Sequence, residues 1–494
     1  IPTNASWKAS FGAWRHADLY LGVDYDARQE LHGWDKPSYN DTAWSPVAVG
    51  LSNFRQARSA DVTNAVRSAL AGGKSFVVGP TVLGDPAFGV VKTLTVDYRV
   101  GNDTRSISLR EGERLSLPQP GESGEVTIVR ATFAEPTPPA PGLIAVEPNP
   151  GEPMRRHEEL LARTVSEPKP GRFVFDLGQN IVGWPRLVVN GREGQRLVVR
   201  YAERLNPDGT LYTSNLRGAI STDFFTLAQG TQTIEPKFTF HGFQYVEITG
   251  LDDKPQPEMV TGVVVHSLLP PAGFFSSSNP LLDRLILNTK WGQKGNYLDV
   301  PTDCPQRDER LGWTGDAQFF MNAAAYNFDI SSFMSRWLRT LVLDAQLPDG
   351  TFAHVAPNVA QGGGSTAWGD AAIVCTHAMH RIYGDVRILG DHYEPMKRYI
   401  DWLDTKTTAG IAKVGGFGDW VNLGDPTNQE LIDTAYRAEL LRMMADIASI
   451  LGKPEDQARF SRSRDETIAA FRTKFIADDG SLRDSGQTGY ALAF

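Results

Sequence analysis

The sequence predicts a multidomain protein, with β-sandwich domains followed by an incomplete (α/α)6 toroid. Three observations predict it. Apolar residues recur with a period of two up to about residue 270 and of about 3.6 after Pro271. A proline-dense stretch between about Pro136 and Pro153 parts the β-rich half in two. Two turns, Pro348-Asp349-Gly350-Thr351-Phe352 and Asp478-Asp479-Gly480-Ser481-Leu482, each follow an amphipathic helix, as recurring helical hairpins require.

From Ile1 to about Arg130, short apolar stretches stand between turn residues: Ala17–Tyr25, Ser75–Val82, Val91–Val100 and Val126–Ala131. The last three are rich in β-branched residues and read as strands. The stretch that follows contains Pro-Thr-Pro-Pro-Ala-Pro-Gly and then Glu-Pro-Asn-Pro-Gly-Glu-Pro. Such proline density suits an extended connector at a domain boundary. From Arg172 to His266 the β pattern resumes in Phe173–Phe175, Arg186–Val189, Arg196–Tyr201, Thr222–Leu227, Phe238–Phe240 and Gln244–Ile248, with turns such as Asn206-Pro207-Asp208-Gly209 between them. A sandwich is the expected packing.

The helical part opens at Asn279-Pro280, an N-cap followed by proline at the first helical position. Helices are expected at roughly Ala317–Asn327, Ser332–Ala345, Ala367–Tyr383, His392–Asp404, Glu430–Leu451 and Pro454–Phe475. Gly384 and Gly452 suit left-handed caps. Leu440, Met444, Ile447 and Leu451 mark one buried face. About seven helices follow Pro280, and Thr488–Phe494 reads as the opening of an eighth, so a twelve-helix toroid is expected to be unfinished.

Composition narrows the partners. The chain has 494 residues, enough for about three domains. Its formal charge of −9 comes from interspersed acids and bases without a basic stripe, which argues against nucleic acid and for a neutral ligand. Two cysteines, Cys304 and Cys375, are too few for a disulfide framework or a zinc cluster. No apolar run approaches the roughly 18 residues of a membrane span. The N-terminus, Ile-Pro-Thr-Asn, has neither an initiating Met nor a signal-peptide stretch and reads as a start within a longer protein. The compartment stays open.

Chemistry concentrates in one segment, Asp303-Cys304-Pro305-Gln306-Arg307-Asp308-Glu309-Arg310-Leu311-Gly312-Trp313-Thr314-Gly315-Asp316. Pro305, Gly312 and Gly315 interrupt helix, so its acids ride on a loop that can aim several side chains into one cavity. Cleaving a glycosidic bond requires a proton at the leaving oxygen, and a carboxyl holds one near neutral pH only beside apolar walls or other acids. Asp303, Asp308, Asp316 and Trp313 are placed to provide both for Glu309. On the residues alone, a surface patch in which Arg307 and Arg310 neutralise Asp308 and Glu309 competes with this reading.

This segment resembles the signature of the inverting α-L-rhamnosidases of glycoside hydrolase family 78. The resemblance extends to Phe175-Asp176-Leu177-Gly178-Gln179-Asn180-Ile181-Val182-Gly183-Trp184, to Tyr212-Thr213-Ser214-Asn215-Leu216-Arg217, to Phe238–Val246, and near the N-terminus to Asp18–Arg28 and Gly33-Trp34-Asp35. It implies four segments: residues 1–50 end an N-terminal β-domain, 51–136 continue it or insert into it, 137–270 form a β-sandwich, and 271–494 form the α/α-toroid catalytic domain with its C-terminal part missing. It further implies Glu309 as general acid, and Asp303, Arg307 and Asp316 as hydrogen-bonding partners of the sugar hydroxyls. Trp313, Trp368 and Trp420 match its sugar-walling positions, where an indole face suits pyranose C–H groups and the C6 methyl of a deoxy sugar. The implied activity is removal of terminal α-L-rhamnose from rhamnosides with inversion, with no cofactor or metal and no nucleic-acid or membrane partner.

Inversion needs a second carboxylate about 6.5–9.5 Å from the acid. In the family a glutamate beside a tryptophan supplies it late in the barrel. No Trp-Glu pair occurs in the helical part here, so the base is expected beyond Phe494. A glycan-binding protein with a degenerate catalytic domain, and a toroid enzyme acting on uronides, are the alternatives. His241 and His354 stand isolated from second ligands and read as packed or hydrogen-bonded. Cys304, among acids and without a His–Asn partner pattern, reads as no nucleophile.

Overall fold

A computed structural model describes residues 7–46, 59–71, 75–84, 92–119, 122, 124–134, 151–359, 362–424, 426–483 and 486–494. The chain forms two compact units, one of Ile1–Ser10 and Asp41–Pro148, the other of Phe11–Asn40 and Asn149–Phe494. Most of the proline-rich connector lies outside the described residues. Strands β1 (Trp14–Asp18) and β2 (Gly22–Asp26) belong to the second unit. The stretch 1–50, expected to close one β-domain, is therefore divided between the units.

The first unit is built on an antiparallel sheet of β3 (Ser59–Asp61), β4 (Thr93–Val100), β5 (Asp103–Arg110) and β6 (Val126–Ala134), in the order β3-β6-β4-β5. Leu94, Val96, Tyr98 and Val100 alternate inward along β4, as a half-buried strand requires. Helix α1 (Thr63–Leu70) contributes its buried Val66 to the same core.

The second unit carries a ten-stranded sheet. After β1 and β2 come β7 (Met154–Leu161), β8 (Thr164–Lys169), β9 (Arg172–Gly191), β10 (Arg196–Ala202), β11 (Thr222–Thr226), β12 (Gly230–Ile234), β13 (His241–Thr249) and β14 (Val260–Ser267). The path runs β7-β14-β9-β13-β10-β11-β2-β1, with β8 and β12 attached to β9. Strand β2 joins β11 in parallel, and Asp223 of β11 accepts from the Val23 N–H at 2.9 Å. Strand β9 continues through a register shift between Asp176 and Ile181, where Gly178 adopts φ +70°. Phe175, Leu197, Val199, Phe225, Phe243, Val246 and Ile248 fill the core beneath.

From Pro280 the chain is helical: α2 (Pro280–Asn296), α3 (Thr314–Asn327), α4 (Ser331–Arg339), α5 (Ala371–Tyr383), α6 (Val386–Thr405), α7 (Gln429–Ile450), α8 (Pro454–Phe475) and α9 (Gln487–Ala493). The Asn279 side chain caps α2 by accepting from the Leu281 N–H. Helix α4 is shorter than expected because its last turn widens over Thr340–Asp344. Helix α6 starts six residues before the expected His392, where Asp385 caps it by accepting from the Ile388 N–H. Helix α5 starts later than expected, because Asp370 accepts from the Ala367 N–H and holds residues 367–370 in a turn.

The two echoing turns share one construction. Gly350 and Gly480 take φ +94° and +84°, and Asp349 and Asp479 accept from the N–H of Thr351 and Ser481 at 3.1 and 3.0 Å. Helices α7 and α8 are joined through Gly452 at φ +66°. Met321, Phe333, Trp337, Phe352, Met396, Tyr399, Met444 and Phe460 belong to one core shared by α3 to α8. Among the described residues, no helix is long and apolar enough to cross a membrane.

Candidate active site

The acid-rich segment leaves α2, crosses an irregular loop and enters α3 at Thr314. Its ends are pinned together: Asp303 accepts from the Leu311 N–H at 3.0 Å, and the Asp303 N–H donates to the Leu311 carbonyl at 3.1 Å. Asn296, in the last turn of α2, donates to the carbonyls of Thr302 and Asp303 at 2.7 and 2.6 Å. Gly312 leaves no room for a side chain, since a Cβ would lie 2.3 Å from the Ala356 carbonyl oxygen. The span 304–310 between these pins is thereby closed into a partly buried loop.

That loop forms one wall of a cavity of about 840 Å³. Asp303, Arg307, Glu309, Trp313, Asp316, Trp368 and Trp420 all line it. The sequence motifs thus converge on one place, although Trp420 lies more than a hundred residues from Glu309. Trp420 stands at the open side, 67% exposed, whereas Trp368 is buried.

The acids are not equivalent. Burial, with the charge of Glu309 adding to it, pushes the Asp303 carboxyl up to about 6. Burial also raises Asp316, again with Glu309 contributing. Glu309 meets two cations at one oxygen: Arg307 Nε donates to Oε2 at 2.9 Å, and Arg217 Nη2, arriving from the sandwich, donates to it at 3.1 Å. Asp308, expected to press on Glu309, instead accepts from Arg217 Nε at 2.7 Å and the Gly218 N–H at 3.0 Å. Arg310 also departs from the expected salt-bridge patch, donating to the Phe240 carbonyl at 2.6 Å.

Asp303, Cys304 and Glu309 bring one donor atom each within 4.8 Å of one another. Burial and Asp303 push the Cys304 thiol up to about 12, and Glu309 Oε2 is engaged by guanidinium groups. The trio is an acid and thiol cluster in which the thiol keeps its proton.

Phe417, which the sequence reading passed over, is the hub of the aromatic wall. Its ring centroid lies 6.3 Å from Trp313, 4.6 Å from Trp368 and 5.6 Å from Trp420. It stands three residues before Trp420, so the signal available was its place in Phe-Gly-Asp-Trp. Phe319 and Phe320 of α3 also line the cavity, at positions i+3 and i+4 from Asp316.

The isolated histidines are packed. His354 is buried with Nε2 2.8 Å from the Ser365 hydroxyl. His241 lies between Ser221 at 3.2 Å and the Asp223 carboxylate at 3.2 Å, and stacks on Tyr201. That Ser–His–Asp arrangement is closed to any substrate, since all three residues are at most 1% exposed.

Three family models match parts of the chain. The bacterial α-L-rhamnosidase six-hairpin glycosidase domain matches residues 270–494, the bacterial α-L-rhamnosidase concanavalin-like domain 166–266, and the α-L-rhamnosidase N-terminal domain 1–69. The chain belongs to the α-L-rhamnosidase family. An α-L-rhamnosidase of Streptomyces avermitilis is 37% identical over 494 residues, covering 100% of this chain and 39% of that protein. One from an Alteromonas species is 31% identical over 511 residues, covering 100% of this chain and 46% of that protein. The crystal structure of the Streptomyces avermitilis enzyme complexed with L-rhamnose superposes with a TM-score of 0.76 at 35% identity, over 100% of this chain and 39% of that one. The rhamnosidase structure from Dictyoglumus thermophilum gives 0.77 at 28% identity, over 100% and 46%. The chain therefore spans about two fifths of the length of these relatives. The six-hairpin match takes in all of α2 to α9, and the cavity lies wholly within it.

Proposed function

We propose that this chain carries the proton-donating side of a glycoside hydrolase that removes terminal, non-reducing α-L-rhamnose from rhamnosides with inversion, without a cofactor. The observation that carries the proposal is the cavity itself, which Glu309 lines beside two acids of raised proton affinity and together with three indoles. The L-rhamnose complex of the Streptomyces avermitilis relative supports the choice of sugar.

In this reading Glu309 is the general acid that protonates the departing glycosidic oxygen. Asp303 and Asp316 hold the sugar hydroxyls as acceptors when ionised and as donors when protonated. Arg307 reaches a further hydroxyl, and Trp313, Trp368 and Trp420 pack against the pyranose C–H face and the C6 methyl. The residues from 271 onward constitute the catalytic domain, and the sandwich before it supports the acid-bearing loop. Among the described residues lining the cavity, the carboxylates are Asp303, Glu309 and Asp316, all from one segment.

The test is release of p-nitrophenol from p-nitrophenyl α-L-rhamnoside by the full-length protein, with NMR identifying the anomer of rhamnose first formed. Hydrolysis that first yields β-L-rhamnose supports the proposal. Failure on the rhamnoside alongside cleavage of another aryl glycoside overturns it.

A further inference from the structure

Arg217 lies outside the cavity lining, yet its guanidinium is the only part of the sandwich bonded to the Glu309 side chain among the described residues. It closes a short 3-10 turn, Ser214–Leu216, with φ +54° and ψ −115°, a backbone region that non-glycine residues rarely occupy. The next residue is fitted to the same target. A Cβ on Gly218 would lie 2.6 Å from Asp308 Oδ2, the oxygen its own N–H donates to. Two consecutive residues are thus shaped around Asp308, and Arg217 reaches past it to Glu309 Oε2. Tyr20 completes the grip by donating its hydroxyl to the Glu309 carbonyl at 2.8 Å.

The consequence is directional. Arg217 and Arg307 both point N–H groups at Oε2, so a proton carried by Glu309 belongs on the other oxygen, Oε1. Around the carboxyl stand Asp303, Cys304 and Asp316 on the cavity side, Arg307 on the same loop and Arg217 from the sandwich. If Arg307 turns to a sugar hydroxyl, Arg217 is the cation left to hold Oε2.

We propose that Arg217 is the positioning residue of the general acid, fixing Asp308 and one oxygen of Glu309 so that the proton is presented from Oε1. This rests on Glu309 being the acid. A tie that merely fastens the loop would affect binding and every substrate alike. A positioning residue matters most where the leaving group needs the proton.

The test compares kcat and KM on p-nitrophenyl and methyl α-L-rhamnoside for the full-length protein, unaltered or carrying Arg217→Met, Arg217→Lys, Asp308→Asn or Glu309→Gln, with L-rhamnose affinity by calorimetry. Arg217→Met is expected to lower kcat on the methyl glycoside about 10- to 100-fold, with a far smaller loss on the aryl glycoside and KM within about twofold. Arg217→Lys recovers part of the loss, and Asp308→Asn shifts the two substrates in the same unequal way. Because the Arg217 side chain is about half exposed, its removal is not expected to unfold the chain, and Asp308→Asn provides the independent second reading. Equal losses on both substrates, or none, overturn the assignment while Glu309→Gln retains the leaving-group split. An unaltered full-length protein that cleaves neither rhamnoside overturns the hydrolase reading itself.

Discussion

The Arg310 guanidinium stacks on Phe240, 4.8 Å from the ring centroid, and donates Nη1 to the carbonyl of that same residue at 2.6 Å. It also faces the Tyr20 ring at 5.5 Å and donates Nε to the Arg307 carbonyl at 3.1 Å. Burial pushes the guanidinium down to about 10, with no carboxylate hydrogen-bonded to it among the described residues. A cation is tolerated here because two ring faces and two carbonyls replace part of its water, although Nη2 is buried without a hydrogen-bond partner among the described residues. Arg310→Ala would strand those carbonyls and open a void behind the acid loop. A loss of about 2 to 3 kcal/mol in urea unfolding is expected, with weaker L-rhamnose binding. A change within about 0.5 kcal/mol would mean that the loop holds its shape without the sandwich.

Glu309→Gln keeps the shape of the side chain and removes its transferable proton. Turnover on an alkyl rhamnoside is expected to fall by about 100-fold or more, with L-rhamnose affinity by calorimetry nearly unchanged. An aryl rhamnoside, whose phenolate departs without full protonation, should lose much less. An unchanged rate on the alkyl substrate would remove Glu309 from the role and direct attention to Asp303, which burial already holds protonated to about pH 6.

The features that sequence revealed most directly are those governed by short-range rules. The Asn279-Pro280 start, the Gly452 link and the two Asp-Gly turns follow from capping and turn chemistry, and each is seen in the fold. Helix starts set by a side chain folding back were less legible. Asp370 capturing the Ala367 N–H delays α5, which apolar periodicity does not foresee. At the site, the long motif drew attention to Glu309 and its neighbours, but ion pairing escaped it. Whether Asp308 and Arg310 face the cavity or the sandwich depends on Arg217 and Phe240, 91 and 70 residues away in sequence. Phe417 illustrates the same limit, since its place in Phe-Gly-Asp-Trp points to Trp420 but carries no mark of Trp313 and Trp368.

The aromatic wall offers two substitutions that should both weaken the sugar, the second without a cost in stability. A Cβ at Gly315 would lie 2.6 Å from Trp368 Cε2, so Gly315→Ala must displace an indole that is buried. L-rhamnose affinity is expected to fall about 10-fold, equivalent to about 1.4 kcal/mol. Trp420 is 67% exposed, so Trp420→Ala should leave the urea midpoint within about 0.5 kcal/mol while still weakening the sugar. Calorimetry and unfolding on both variants separate the two. Full affinity in Trp420→Ala would place the sugar away from the open side of the cavity.

Asp370 predicts how stability varies with pH. Its carboxyl is 1% exposed, accepts from the Tyr399 hydroxyl at 2.8 Å and the Ala367 N–H at 2.6 Å, and has Asp433 as a like-charged neighbour. Burial is the largest cause and raises the group from 3.8 to about 6. The folded state therefore holds this proton more tightly than the unfolded chain does. The contribution to stability is complete below about pH 4 and is lost as pH rises through about 6. Asn at this position accepts from the Ala367 N–H and donates to the Tyr399 oxygen, reproducing the protonated pattern at every pH. Relative to the unaltered chain, Asp370→Asn should be near neutral at pH 4 and more stable by about 2 to 3 kcal/mol at pH 8. Because Asp303 and Asp316 titrate in the same direction, the difference between the two chains is the quantity to measure, by urea unfolding across that range. A difference that stays flat from pH 4 to 8 would show that Asp370 ionises as easily in the folded chain as in the unfolded one.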